Sequence, residues 1–343
     1  MTFDISKFIR VNRVYFIWGV FMGFLYLFRN MFGLVFITFI MCFIASNITR
    51  YLRRKFRLNR RFAVVMIYSI FLVGVGTFLM IVPPRLFAEA IGFTEQLPSS
   101  IRSIQNWMNV NLGEHEMLAP LLPQNIEALM PESLFISAWN GVIKVLEKGL
   151  HYFGWFFLAM LFSFLILLDL PRLSISVRQL RFTKLAESYR ETAGSVLLFA
   201  KVVGENFRAQ LLISTINTIL TAVCLKILGV KAIALLCTIV FICGLIPVLG
   251  MIISSVPIVL MAINSGGINL GLWAVIMIIA IHMLEAYVLN PRIVSSVMHI
   301  NPVMTLIILY IAHSMIGMWG MLLGVPVAVY IYRKISTSKD NTK

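Results

Sequence analysis

The sequence predicts an all-α membrane protein. It is read as six spanning helices plus two re-entrant helical hairpins, or as eight spans, with amphipathic helices outside and inside. Three observations predict this. First, 60% of the 343 residues are hydrophobic and 13% are charged, where a water-soluble chain carries roughly 25% charged residues; the mean hydropathy is +0.92. Second, apolar runs of spanning length recur along the chain. Third, two apolar stretches are too long for one crossing and too short for two, and each carries helix breakers near its middle. A soluble enzyme is excluded on composition.

A spanning helix needs about 20 apolar residues. Runs that meet or approach this are 14–28, 31–48, 62–82, 152–168, 209–228 and 268–289. The first is short and forms a tight hairpin with the second. It ends at Arg29-Asn30 without a small-residue cleavage pattern and is read as a retained anchor. The anomalous stretches are 232–263 and 303–332, each about 45 Å long as a single helix. The first is interrupted by Gly244, Pro247 and Gly250, with Pro257 beyond. The second is interrupted by Gly317 and Gly320, with Pro326 beyond. Half-length helices around such a break describe a re-entrant hairpin, because non-helical backbone at membrane depth survives only inside protein or beside a wet cavity. A bent helix or two short spans is the alternative. The two breaks also resemble each other, Gly250-Met251-Ile252-Ile253 against Gly320-Met321-Leu322-Leu323. Paired interrupted segments point to a transporter's binding site.

Charge sets the expected topology. The net charge is +15, and basic residues gather in cytoplasmic loops; the lipid bilayer explains the excess without a nucleic-acid partner. Residues 50–61 hold seven Lys/Arg and no acid, so they are placed inside, and the N-terminus with them. Residues 83–151 carry seven Glu against four bases and are placed outside. Residues 169–208 carry seven bases and four acids and return inside. With both long stretches re-entrant, the basic C-terminus is also cytoplasmic. The expected organisation is a three-span unit with its basic loop (1–84), an extracytoplasmic helical segment (85–151), a fourth span with cytoplasmic amphipathic helices (152–208), and a transport unit with two broken hairpins (209–343). In the outer segment, Leu86, Ala90, Phe93, Leu97, Ile101, Ile104 and Met108 recur at helical spacing, with Pro98 among them. They are expected to pack on the membrane surface or between subunits. Residues 173–201 are read as a second amphipathic stretch along the membrane surface.

An ionisable residue inside a membrane is expensive, which makes it a functional-site candidate. Glu285 is the only acid between Glu205 and Asp340. Arg292 follows it after Asn290 and Pro291. The pair reads either as an internal ion pair or as a gate and ligand for a proton, cation or substrate. Arg208 and Gln210 open the fifth span and Asn217 lies further along it. They either line a cavity or bond to a neighbouring helix. Asn264, Ser265 and Asn269 flank Gly266-Gly267, where a turn accounts for them. His282 and His313 stand in apolar runs without a carboxylate or second His at ligand spacing, and the four cysteines form no Cys-x-x-Cys pair. No metal site and no cofactor are therefore expected. Neither a Walker loop nor a nucleophile elbow is present, so no enzymatic activity is expected.

The motifs resemble, in order, those of the autoinducer-2 exporter (AI-2E) family. Val82-Pro83-Pro84 closes the third span, and Leu168-Asp169 with Arg172 closes the fourth. Gly204 and Arg208-Ala209-Gln210-Leu211 open the fifth. Ile246-Pro247-Val248-Leu249-Gly250 with Val256-Pro257 marks the first break. Val288-Leu289-Asn290-Pro291-Arg292-Ile293 follows Glu285, His299-Ile300-Asn301-Pro302 precedes the last stretch, and Gly320-Met321-Leu322-Leu323-Gly324-Val325-Pro326 lies within it. Ala209 stands where family members often have Gly. The resemblance implies a multi-pass transporter of the bacterial inner membrane, homo-oligomeric and pentameric in particular, with an elevator-like movement. It also implies one of two activities, export of autoinducer-2 or sodium(lithium)/proton antiport. The expected function is a secondary transporter exporting a small polar solute held between the two hairpin tips. Gly250 and Gly320 let the backbone approach the solute, and Glu285 and Arg292 gate it or bind protons or sodium. A cation/proton antiporter and a non-transporting membrane scaffold are the alternatives.

Overall fold

A computed structural model of the chain describes residues 31–111, 132–183, 186–293 and 301–340. The described residues are helical and contain no strand. The helices are α1 (Phe32–Phe56), α2 (Arg60–Asn111), α3 (Glu132–Gln179), α4 (Ala186–Leu228), α5 (Ile233–Cys243), α6 (Leu249–Leu284), α7 (Pro302–Ile316) and α8 (Met318–Asp340). A π-helical turn, Glu285–Leu289, and one α-turn, Asn290–Ile293, prolong α6. Five segments are long and apolar enough to cross a membrane: Phe32–Phe56, Arg60–Phe93, Phe153–Gln179, Thr192–Leu228 and Leu249–Leu289. The expected span at 14–28 lies outside the described residues. Large apolar side chains point outward from these helices, Val73, Met80 and Ile227 among them, as a lipid-facing surface requires.

The chain divides into two compact units. The first comprises residues 1–71 and 151–204, the second 72–150 and 205–343. In the first, Ala45, Val64, Tyr68, Met160 and Leu167 form a small core. The Tyr68 hydroxyl bonds to that of Ser163, which is completely buried. Arg60 Nη2 donates to the carbonyl of Leu167 at 2.7 Å. Arg53, Arg54 and Lys55 end α1, where cations complement the negative end of a helix dipole.

The second unit is built on the former outer segment. Leu86, Ala90, Phe93 and Ile101 of α2 are buried against Leu235 and Leu236 of α5 and Ile258, Met261 and Ala262 of α6. Leu86, Ala90, Phe93 and Ile101 of the stripe expected to lie on the membrane surface or between subunits therefore pack into the core of this unit. Side-chain bonds join the same helices: Ser100 Oγ donates to Leu260 O at 3.2 Å, and Asn264 Nδ2 donates to Ser99 Oγ at 2.8 Å. Pro83, Pro84 and Pro98 all lie inside α2 and do not end it.

Both oversized stretches fold as helix, break and helix. The first runs α5, a turn at residues 244–248, then the opening arm of α6. That arm ends at Gly266-Gly267, where Gly267 has φ +73. The chain reverses there, since a side chain at position 271 would meet Ile263 Cγ1 at 2.5 Å, although eight residues along one straight helix span about 12 Å. The second stretch runs α7, Gly317 at φ +64, then α8. Close approach explains a glycine in each. A Cβ at Gly250 would overlap the carbonyl oxygen of Cys243, and one at Gly320 that of Ala312. Pro257 and Pro326, grouped with the breaks on sequence, lie inside α6 and α8. The actual turns are narrower, because Gly and a positive-φ residue suffice to reverse the chain.

Candidate functional site

The site begins with a stripe on α4. Gln210, Ser214, Asn217 and Thr221 follow at steps of four, three and four, which places them on one helical face. Ser214, Asn217 and Thr221 are buried. The stripe meets the end of α5, whose last carbonyls have no partner within the helix. Ser214 Oγ donates to Phe241 O at 2.7 Å, and Gln210 Nε2 donates to Gly244 O at 2.6 Å. The opposite end of α5 is held by α2: Leu235 N–H donates to Glu89 Oε2 at 2.7 Å. Its own N-cap residue, Ala232, offers no side-chain acceptor. Polar groups from neighbouring helices therefore pin an 11-residue apolar helix at both ends.

The turn after α5 is strained. Val248 has φ +64 and ψ −55, and Leu249 N–H donates to Pro247 O at 2.7 Å. This is a γ-turn of the rare positive-φ kind, on a β-branched residue for which that region is a genuine outlier. Such strain clusters where a structure binds or switches.

Glu285 opens the π-helical turn. Asn290 N–H donates to the Glu285 carbonyl, five residues back. Pro291, which lacks an N–H, follows at once and cannot continue an ordinary α-ladder. Single π-turns inside α-helices recur at functional sites. The Glu285 carboxylate is about one-quarter exposed. It accepts from Asn217 Nδ2 at 2.6 Å, and its Oε2 lies 3.0 Å from His282 Nδ1. Asn217 Oδ1 is buried without a hydrogen-bond partner.

These groups face a cavity of about 430 Å³. The turn after α5 contributes Gly244, Ile246, Pro247, Val248 and Gly250. Polar side chains come from Gln210, Asn217, Thr221, Ser254, Ser255, His282, Glu285 and Asn290. The volume lies within the 300–1,000 Å³ common for small-molecule sites.

The structure thus brings together Gln210, Asn217, Glu285, Asn290, Pro247 and Gly250. It leaves others apart. Arg208 is exposed and does not line the cavity. Gly317, Gly320 and Pro326 contribute nothing to it, nor does Pro257; the expected meeting of two hairpin tips is not seen at this cavity. Arg292 falls in the turn Asn290–Ile293, and its side chain lies outside the described residues. The partners found for Glu285 are Asn217 and His282. Among the described residues no group of three potential ligands could hold a metal.

The sequence model that describes AI-2E family transporters matches residues 15–339. The chain belongs to that family. Among similar proteins, one from Bacillus subtilis (strain 168), named "Putative transport protein YdbI", is 29% identical over 339 residues, covering 96% of this chain and 94% of that one. A protein of Halobacillus andaensis named "Sodium-lithium/proton antiporter" is 22% identical over 293 residues, covering 80% of each chain. This AI-2E family member is a membrane transporter, and its motifs at Ile246–Gly250 and Glu285–Ile293 coincide with the strained turn and the π-helical turn.

Sequence reasoning missed three parts of the site. The sequence reading gives His282 no carboxylate at ligand spacing, yet Glu285 stands three residues on, and such pairs share a helix face. Ser214 and Thr221 completed a visible 4-3-4 stripe with Gln210 and Asn217. Glu89 carried no local signal, because it reaches α5 from a helix far away in sequence.

Proposed function

We propose that this AI-2E family transporter is a secondary transporter that moves a small polar solute, such as autoinducer-2, through the cavity around Glu285. The observation that carries the reading is one cavity with eight polar side chains, one of them the Glu285 carboxylate, set at the break of an apolar helix. Glu285, His282 and Asn217 offer acceptors and donors on one side. The Ser254 and Ser255 hydroxyls lie on the α6 arm that follows the turn. In this reading α5 with the first arm of α6, and α7 with α8, are re-entrant hairpins that move with residues 209–343 as an elevator. The termini are cytoplasmic, the membrane is the bacterial inner membrane, and the protein is a homo-oligomer. Residues 205–343 fall in one compact unit together with 72–150, so in this reading the later part of α2 moves with them.

A second reading is cation/proton antiport, and two oxygens favour it. The Glu285 carboxylate and the unpartnered Asn217 Oδ1 both suit a hard cation, and the relative from Halobacillus andaensis is named for that activity. Proteoliposomes separate the readings. Efflux of loaded autoinducer-2 above that of empty vesicles supports the first. Sodium- or lithium-driven proton movement, without solute efflux, supports the second. Neither flux leaves a membrane scaffold.

A further inference from the structure

We propose that the first unit holds one anionic phospholipid, with an acyl chain in an apolar groove between α1 and α3 and its headgroup on the arginines at one end of that groove. The groove has a volume of about 640 Å³ and runs along α1 from Met31 to Ser46, facing Phe162 to Leu170 of α3. The α1 wall is about 22 Å long and the α3 wall about 12 Å, so the two-sided part of the groove takes most of an acyl chain within the roughly 15 Å depth of one leaflet's hydrocarbon.

The walls call for an apolar occupant. Their polar side chains are Thr38, Cys42 and Ser46, and each is already satisfied. Thr38 Oγ1 donates to Leu34 O at 2.7 Å, Ser46 Oγ donates to Phe43 O at 2.8 Å, and Cys42 Sγ donates to Ser163 O at 3.5 Å. No side-chain donor is left over for a polar solute.

The chemistry changes at one end. Arg50 lies one helical turn beyond Ser46, and Arg53, Arg54, Lys55 and Arg57 follow, all exposed. Arg60 donates to the carbonyl of Leu167, itself a wall of the groove, and so ties the start of α2 to that wall. Residues 50–61 contain no acid. Asp169 of α3 is held by Arg172 at 3.5 Å, and among the described residues no carboxylate pairs with Arg53, Arg54 or Arg57. Lys55 Nζ sits 5.7 Å from the Tyr51 ring and 5.6 Å from the Phe56 ring, and an exposed Tyr such as Tyr51 marks headgroup level. Arg50 Nη2 donates to Asn47 Oδ1, a neutral acceptor, so an apolar slot ending in a basic cluster with no carboxylate partner among the described residues matches a lipid with a negative headgroup, because juxtamembrane basic clusters attract anionic lipids. A zwitterionic headgroup would leave the excess of cations unanswered.

The test uses the full chain in nanodiscs of equal dioleoylphosphatidylglycerol and dioleoylphosphatidylcholine. After extraction into mild detergent, native mass spectrometry counts the lipids retained. One phosphatidylglycerol per chain is expected, in clear excess over phosphatidylcholine. Each headgroup arginine contributes roughly five-fold, so the exposed double variant Arg50→Gln/Arg53→Gln is expected to lower its retention about 25-fold. Ser46→Trp fills the groove with the charges intact and is expected to abolish retention. Equal retention of the two lipids overturns the proposal. So does full retention by the arginine variant. Full retention by a folded Ser46→Trp protein also overturns it, since the groove would then belong to a second copy or to another segment of this chain. Should Ser46→Trp fail to fold, the surface arginine variant decides.

Discussion

Replacing Gly250 by alanine tests the helix-break-helix geometry at the point where it is tightest. A Cβ there would overlap the Cys243 carbonyl oxygen, lie 2.5 Å from the carbonyl carbon and 3.0 Å from Gly244 N. Relaxed carbon contacts begin near 3.5 Å, so the start of α6 must retreat from the end of α5 by about 1 Å. Both partners are backbone, and neither can swing aside as a flexible side chain would. Overpacking of this order costs about 1–3 kcal/mol. Gly76→Ala is the matched control. It makes the same chemical change inside helix α2, where nothing lies within 4 Å, and alanine in a helix interior is favoured over glycine by about 0.5–1 kcal/mol. The two variants should therefore shift in opposite directions and differ by about 1.5–4 kcal/mol. Denaturant titration of the purified proteins in mixed micelles measures this. Gly250→Ala should unfold at lower denaturant than the wild type, and Gly76→Ala at equal or higher denaturant. Equal midpoints for the two alanine variants would refute the close approach. The same retreat moves Ile246, Pro247 and Val248, which line the cavity, so solute flux through Gly250→Ala should also fall.

Two further outcomes rest on single contacts. Glu89→Ala removes the acceptor for Leu235 N–H at the start of α5, and loss of such a cap costs about 1 kcal/mol; a lower denaturation midpoint for Glu89→Ala, partly restored in Glu89→Gln, checks it. Ser163→Ala leaves the buried Tyr68 hydroxyl without its partner, at about 1–2 kcal/mol. The additional change Tyr68→Phe should recover most of that loss, and a double variant less stable than Ser163→Ala alone would contradict the reading.

The helical class was legible because period and composition carry it. Apolar runs at 31–48, 62–82, 152–168 and 209–228 all fall on long helices, and the breaks at Gly244–Gly250 and at Gly317 fall where the chain reverses. The ends of helices were not legible. The predicted span at 62–82 stops at Val82-Pro83-Pro84, yet α2 continues through three prolines to Asn111, sustained by packing of Leu86, Phe93 and Ile101 that no local window contains. At the site, Glu285 stood out because a lone acid in an apolar region is costly, and Asn217 because it interrupts a span. Their direct bond was not readable, since it joins helices 68 residues apart. Pro257 and Pro326 misled because proline is read locally as a break, whereas neighbouring helices can accommodate it within a span. His282 could have been read from spacing alone.

In the proposed function the cavity around Glu285 carries the transported species. Flux into proteoliposomes containing Glu285→Gln, a nearly isosteric change that removes only the charge, is the most direct measurement. With size-exclusion and helical content unchanged, flux of the solute or cation carried by the wild type should fall at least about tenfold, the factor that 1.4 kcal/mol produces. Wild-type flux through a folded Glu285→Gln protein would remove this cavity from the pathway.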